Sequence, residues 1–310
     1  MKIFGIISTK GGVGKTTLTA NLGAILADMG QSVLLIDADP QQTLSRYFDI
    51  TEAAPFGLTQ LFKASNPAKT ISKTSIPGLD IVICDDKKAD GAIPGLLRES
   101  ITNYQNLSVA LRQVEGQYDY ILIDTQGTTH TIQDAVIYAA DVLLSPTPPK
   151  VLDTREFIFG TVELVKKYQP RPGFISILGR PTPPVRAIIN LWDRTNSAQQ
   201  IIKYLRAEFD READSAITVL QTIIPAKNVY SVSGGEGVPA HRRDFIRRGN
   251  SPSALEVLLS LVHELEPKLS HIVPNWEGIP KAALQQLQEH ATDTGHSDVS
   301  AEEIAVGGDQ

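Results

Sequence analysis

Eight residues near the start of the chain, Lys10-Gly11-Gly12-Val13-Gly14-Lys15-Thr16-Thr17, combine two lysines, three glycines and two threonines. Glycines let consecutive backbone N–H groups turn toward one anion, and a helix beginning at the end of the run adds partial positive charge. In such a loop Lys15 neutralises the β- and γ-phosphate oxygens of a nucleotide, and the Thr16 hydroxyl is a ligand for Mg²⁺. The common phosphate-loop pattern G-x-x-x-x-G-K-[ST] would begin at Thr9, which is not glycine. Lys10 places a second cation at the head of the loop, suited to the charge that develops in phosphoryl transfer. A Gly-rich turn alone is usually only a turn, and a lone loop lysine is usually solvated. The apolar run before this loop and the helical pattern after it favour phosphate binding.

Two carboxylates complete the constellation. Asp124 follows the apolar run Tyr120–Ile123, at the C-terminal end of a strand, where an acid can hold Mg²⁺ or a water bound to it. Asp39 follows the run Val33–Ile36 within Asp37-Ala38-Asp39-Pro40 and can orient water or complete the metal's shell. One strand-end aspartate is often a turn former or a helix cap. Two at the edge where open α/β sheets bind their ligands favour chemistry.

The elements that must position these groups alternate along the chain. Strand-like runs span Met1–Ser8, Val33–Ile36, Asp80–Cys84, Tyr120–Ile123, Asp141–Ser145, Val185–Leu191 and Ile217–Ile224. Helical patterns cover about Thr16–Met29, with Gly30 as its C′ residue, then Thr131–Ala140, Leu152–Tyr168 and Ser197–Phe209. Ser251-Pro252 reads as the N-cap and first residue of a last helix, whose stripe of Leu255, Leu258, Leu259, Val262 and Leu265 is core packing. The stretches Pro146–Pro149, Pro170–Pro172 and Pro181–Pro184 read as loops. Continuous apolar strands alternating with helices predict an α/β fold: a single P-loop NTPase domain, its mainly parallel sheet covered by helices on both faces. That domain is expected over 1–284. Residues 285–310, poor in large apolar side chains, read as an acidic, disordered tail.

The composition, 42% hydrophobic and 21% charged over 310 residues, is ordinary for a globular protein. No apolar run is long enough to span a membrane, and no signal peptide is expected. Cys84 is the only cysteine, which excludes an intrachain disulfide and suits a reducing cytosol. The net charge is −6, and residues 285–310 hold six acidic residues and no Lys or Arg. Without those six, the 35 Asp and Glu fall to 29, equal to the 29 Lys and Arg. A neutral body leaves room for a local basic face. The densest basic run, His241–Gly249, carries Arg242, Arg243, Arg247 and Arg248. It reads equally well as a phosphate-tracking surface or as a solvated loop with local ion pairs.

These motifs resemble the ParA/MinD group of deviant Walker ATPases, and within it the ParA/Soj partition proteins. The resemblance is carried by Lys10–Thr17, by Asp37-Ala38-Asp39-Pro40-Gln41, and by Ile121-Leu122-Ile123-Asp124-Thr125-Gln126-Gly127. Asn190-Leu191-Trp192-Asp193-Arg194-Thr195-Asn196 and Thr222-Ile223-Ile224-Pro225 are similar to later motifs of the group. The resemblance spans about Met1–Leu269. It implies an ATPase that uses ATP and Mg²⁺ to form a sandwich homodimer, binds nonspecific double-stranded DNA in that state, and is stimulated by a ParB-like centromere-bound partner. It also implies a cytoplasmic, nucleoid-associated protein with no membrane partner. On this resemblance Lys10 reaches the partner subunit's phosphates, Asp39 is the acid required for hydrolysis, Asn190 and Pro225 contact adenine, and Arg194 and Lys227 contact DNA. Two segments depart from chromosomal relatives. Asp124 is followed by Thr-Gln-Gly where those have Asp-x-Pro-Pro, and Ser231–Gly237 stands where they have Ser-Glu-Ala-Pro-Ser. No operator-binding segment is expected ahead of the loop.

Other classes fit less well. A MinD-like positioning ATPase acting at a membrane needs a basic amphipathic C-terminal helix, and this C-terminus is acidic. An iron–sulfur carrier of related fold needs paired cysteines. A P-loop enzyme acting on a small molecule stays open on the site residues alone.

Overall fold

In a computed structural model, which describes residues 1–64, 66–86, 91–127, 130–169, 178–209, 216–249 and 251–281, the apolar runs are strands of one sheet. They are β1 (Lys2–Ile6), β2 (Val33–Ala38), β3 (Ile50–Glu52), β4 (Ile71–Thr74), β5 (Leu79–Val82), β6 (Tyr120–Thr125), β7 (Val142–Thr147), β8 (Val185–Trp192) and β9 (Ile217–Pro225). Their order is β3-β4-β5-β2-β6-β1-β7-β8-β9. From β5 to β9 every neighbouring pair is parallel, and β3 and β4 add an antiparallel edge.

The helices are α1 (Lys15–Asp28), α2 (Leu58–Phe62), α3 (Ala92–Glu99), α4 (Asn106–Arg112), α5 (His130–Ala139), α6 (Val151–Glu156), α7 (Glu163–Lys166), α8 (Asn196–Phe209), α9 (Asn228–Glu236), α10 (Ala240–Arg243) and α11 (Ala254–Leu265). They cover both faces of the sheet. Leu34, Ile36, Ile121 and Ile123 pack with Leu107 of α4 and Val136 of α5. Val33, Leu35, Tyr120 and Leu122 pack with Ile25 of α1 and Leu258 of α11. Both strand faces are buried, which is why these strands read as unbroken apolar runs.

α1 is buried on nearly all sides, and Gly23 lets it lie against β2: a Cβ there would stand 2.6 Å from Leu35 Cδ2. The helix ends as its sequence predicts. Gly30 has φ +77°, its N–H donates to Ala27 O, and the Gln31 N–H donates to Leu26 O, a Schellman closure.

Three expectations are corrected. The cap of α11 is Ser253, not Ser251-Pro252. Ser253 Oγ accepts the Glu256 N–H at 3.2 Å while the Glu256 carboxylate accepts the Ser253 N–H at 2.7 Å. Glu256 stands three residues after Ser253, whereas Ser251 has Ala254 there and cannot close the reciprocal box. Pro146 lies inside β7 instead of a loop. Leu144 O accepts from Ile7 N, so the same edge of Pro146 faces the side where β1 has ended, and no ladder bond is lost. The helix expected over Leu152–Tyr168 is α6 and α7 joined through a π-helical stretch, Phe157–Val162. The antiparallel pair β3–β4 was not foreseen, because its strands are three and four residues long and β3 is largely exposed. The tail expected over 285–310 and the stretch Pro170–Pro172 lie outside the described residues.

Asp28, in the last turn of α1, ties three elements together. Its carboxylate accepts His241 Nε2 at 2.7 Å and Arg242 Nε and Nη2 at 2.8 and 2.6 Å. Its backbone carbonyl accepts the Asn275 N–H, and Trp276 stands edge-on to His241. Burial pushes the Asp28 carboxyl up, but the His241 and Arg242 hydrogen bonds outweigh it and hold the group below its ordinary value. A depressed carboxyl stabilises the fold above its unfolded pKa and stops doing so as pH falls through the folded value. Asp28→Ala should therefore cost about 3 kcal/mol at pH 7. In urea unfolding the gap from the wild type should close as pH drops below about 4.

Candidate nucleotide site

The register of the central strands sets the site. Ile6 of β1 and Asp37 of β2 both align with Asp124 of β6, so these strand ends lie side by side at the sheet's C-terminal edge. The chain leaves β1 through the glycine-rich loop and enters α1 at Gly14. Gly12 (φ +74°) and Gly14 (φ +92°) occupy the left-handed region, which residues with a Cβ adopt only at a cost. A Cβ on Gly14 would also stand 2.3 Å from Asn190 Nδ2. No side chain caps α1, so its first N–H groups have no side-chain acceptor of their own.

Lys15 is buried and its Nζ donates to Lys10 O at 3.2 Å. Burial lowers its pKa, against the opposing pull of Asp124 and Asp39. Asp124 is fully buried, and among the described residues neither of its oxygens accepts a well-formed hydrogen bond. Burial pushes its carboxyl up to about 8, with Thr16 and Lys15 opposing and Asp37 and Asp39 adding to the rise. A buried carboxylate without donors is the environment that a cation relieves. Among the described residues no three His, Cys, Asp or Glu side chains cluster to hold a metal. A cation at Asp124 would complete its shell from phosphate oxygens and water, which is the habit of Mg²⁺.

Asp37 and Asp39 divide the work of the next loop. Asp37 is fully buried, and its oxygens accept Ser45 N and Oγ and the Asp39 N–H, so it anchors the turn. Asp39 is half-buried, with Oδ1 accepting Gln41 N at 2.9 Å, and stays open to the site. The anchor role of Asp37 was not read from sequence, although its place two residues before Asp39 was the available signal.

A family model described as an AAA domain matches residues 1–170. The chromosome partitioning protein ParA of Caulobacter vibrioides is 31% identical over 229 residues, covering 70% of this chain and 80% of that protein. The chain belongs to the ParA family of P-loop ATPases. The sporulation initiation inhibitor protein Soj of Bacillus subtilis is 29% identical over 269 residues, covering 85% of this chain and 98% of Soj. The Cyanothece McdA(D38A)–ATP complex has the same fold, with a TM-score of 0.63, 22% identity, and coverage of 94% of this chain and 96% of that one. This ParA-family chain is an ATP hydrolase.

Lys10, the lysine at the head of the family's loop, ion-pairs with Asp153 of α6 at 2.6 Å. Beside it Thr9 Oγ1 donates to Glu156 at 2.6 Å, and Thr9 N donates to Thr161 Oγ1 at 3.2 Å. Gly160 packs so closely that a Cβ would lie 2.2 Å from Thr9 Oγ1. The π-helical stretch turns this face toward the loop. A uniform 3.6-residue period hides it, so Asp153, Glu156 and Thr161 had no signal in the sequence.

A narrow cleft, open to solvent, adjoins the loop. Its lining includes Gly14, Thr17, Asn190, Leu191, Ile224 and Tyr230. Asn190 Nδ2 donates to Val13 O at 2.8 Å, joining cleft and loop. Pro225 does not line this cleft, because it closes β9 opposite Trp192. Its neighbours Ile224 and Lys227 do.

The expected DNA-contacting residues do not form one free surface. Arg242 is taken up by buried Asp28 and is removed from that set. Lys227 pairs with Asp244 at 2.9 Å and also donates to Pro252 O. Arg243 pairs with Glu236, and Arg247 with Glu256. Arg194 is exposed and donates to Ser251 Oγ at 2.9 Å, and Ser251 bridges to exposed Arg248. Among the described residues Arg248 makes no ion pair.

Lys15→Ala should reduce ATP affinity by at least about 100-fold, because the buried ammonium is the loop's main countercharge. Titration with a fluorescent ATP analogue reads this directly. Wild-type affinity would remove Lys15 from the site.

Proposed function

We propose that this ParA-family ATPase segregates DNA. ATP and Mg²⁺ join two copies into a sandwich dimer, which binds double-stranded DNA without regard to sequence. Hydrolysis stimulated by a ParB-like partner releases it. The names of the relatives support the reading, one being a chromosome partitioning protein and another a virulence-plasmid ParA family protein of Chlamydia psittaci.

One observation carries the link between nucleotide and DNA. Asn190 lines the cleft beside the phosphate loop, and Arg194, four residues on, lies exposed next to Ser251 and Arg248. The short segment between them is held in an unusual conformation, with Leu191 at φ +56° and Arg194 at φ +63°, and such strain persists where surrounding structure enforces it. Occupancy of the cleft therefore acts on the segment that presents Arg194.

Within the site, Lys15 and the N–H groups of Gly11–Thr17 would hold the phosphates, while Thr16 and Asp124 would hold Mg²⁺. Bound there, Mg²⁺ would draw charge from the phosphate oxygens. Asp39 orients the attacking water. Lys10 exchanges Asp153 for the phosphates of the second copy. Arg194 and Arg248 supply the first DNA contacts, with Arg243, Arg247 and Lys227 available once their carboxylate partners give way. Two-fold symmetry doubles that set.

Fluorescence anisotropy of unrelated duplexes should show DNA binding with ATP and little with ADP. Affinity should fall steeply with salt, each neutralised phosphate adding roughly 0.9 to the slope of log K against log salt. Arg194→Glu should weaken DNA binding at least about tenfold while ATP binding stays unchanged. Equal DNA affinity in ATP and ADP would sink this reading. Liposome binding gained with ATP in place of DNA binding would put the membrane alternative there instead.

A further inference from the structure

Gln133, in the first turn of α5, is 1% exposed. Its Nε2 donates to two backbone carbonyls, Ser8 O at 2.9 Å and Gln126 O at 2.8 Å. Both acceptors are carbonyl oxygens, so the NH₂ end of the amide must face them, and both of its hydrogens are used. The opposite end, Oε1, is buried and meets no donor among the described residues. An unmet buried acceptor destabilises the fold, a cost that a methionine of similar volume would avoid. What the carboxamide supplies in return is the two donated bonds.

Those bonds join two particular places. Ser8 immediately precedes Thr9 and the phosphate loop, and Gln126 lies two residues beyond Asp124. The same seam is closed by Thr125 Oγ1, which donates to Ile6 O at 2.7 Å. It is closed again where Gly127 meets the loop, since a Cβ there would stand 2.7 Å from Gly11 N and 2.8 Å from Lys10 O. Gln133 grips both backbones from a third element. The tail of the loop, Gly12–Thr16, is built on the N-terminus of α1 and does not depend on this grip. The head of the loop, Ser8–Gly11, and the segment behind Asp124 do.

We propose that Gln133 is a positioning residue for ATP hydrolysis, its carboxamide clipping the head of the phosphate loop to the segment that follows Asp124. Gln133 acts through the Ser8 and Gln126 backbones. Its loss leaves the phosphate-binding tail of the loop in place and lets Lys10 and the Asp124–Gly127 wall drift apart. Misplacement of about 1 Å around a reacting group costs up to about 100-fold in rate, so turnover suffers and binding does not. The proposal rests on ATP hydrolysis and is independent of DNA binding.

The test uses the full chain with Gln133→Met and Gln133→Glu, each checked by circular dichroism and thermal melting. In Gln133→Met kcat should fall about tenfold or more, with the Kd of a fluorescent ATP analogue within about threefold of wild type. A folded Gln133→Met protein with wild-type kcat and only a lowered Tm would overturn the proposal. So would a loss of ATP affinity matching the loss of kcat. In Gln133→Glu an ionised carboxylate would face two carbonyl oxygens, whereas the protonated acid can donate to one of them. Its kcat relative to wild type should therefore rise as pH falls from 8 to 6. Should Gln133→Met fail to fold, this ratio carries the test, and a ratio flat across that range overturns the proposal.

Discussion

Asp124 sits at the end of a central strand, out of reach of solvent, with neither oxygen in a well-formed hydrogen bond among the described residues. Only the Thr16 hydroxyl and Lys15 are near enough to ease its burial. Left alone, such a carboxyl takes up a proton, and burial pushes its pKa to about 8. Lys15 faces the complementary problem, a buried ammonium whose burial lowers its pKa while Asp124 and Asp39 oppose the fall. Neither group is at rest in this environment without a further charge. A nucleotide phosphate answers the lysine and a divalent cation answers the aspartate. Burial raises the Asp37 carboxyl as well, but there hydrogen bonds offset part of the rise. Asp37 is equally buried, but three donors satisfy it, and it anchors a turn.

Much of the surrounding architecture follows from putting that carboxylate there. β6 lies between β1 and β2, so the strand ends that carry Asp124, Asp37 and the phosphate loop share one edge. α1 must run back against β2, and it does so through Gly23 on one side and the Gly12 and Gly14 turn at its entry. On the other flank the π-helical stretch between α6 and α7 brings Glu156 and Thr161 against Thr9 and leaves Asp153 to hold Lys10. The head of the loop is thus held both from this flank and by Gln133 of α5, while its tail is fixed by α1.

The parts legible in the sequence were those with a local signature. The strands of a doubly covered parallel sheet are continuous apolar runs, and the loop's glycines, lysines and threonine are contiguous. Asp124 and Asp39 announce themselves by ending such runs. The parts that were not legible depend on partners far away in the chain. Arginine count marked residues 242–248, but only the fold shows that Arg242 is spent on Asp28, 214 positions away. Gln133 and Asp153 look like ordinary helix surface residues until Ser8 and Lys10 are placed beside them. Ser251-Pro252 was read as a cap because each residue type suits the role; the reciprocal Ser253–Glu256 spacing was the better guide.

The most direct measurement is the proton balance of Mg·ATP binding. Calorimetric titration at pH 7 in buffers of different ionisation enthalpy should show release of about one proton that the Asp124→Asn variant lacks, because a carboxyl with a pKa near 8 must lose its proton to become a metal ligand. The wild-type affinity for Mg·ATP should rise with pH up to about 8 and then level. Equal proton release by wild type and Asp124→Asn, with full Mg²⁺-dependent affinity in the variant, would contradict the assignment of Asp124 as the carboxylate that holds the metal.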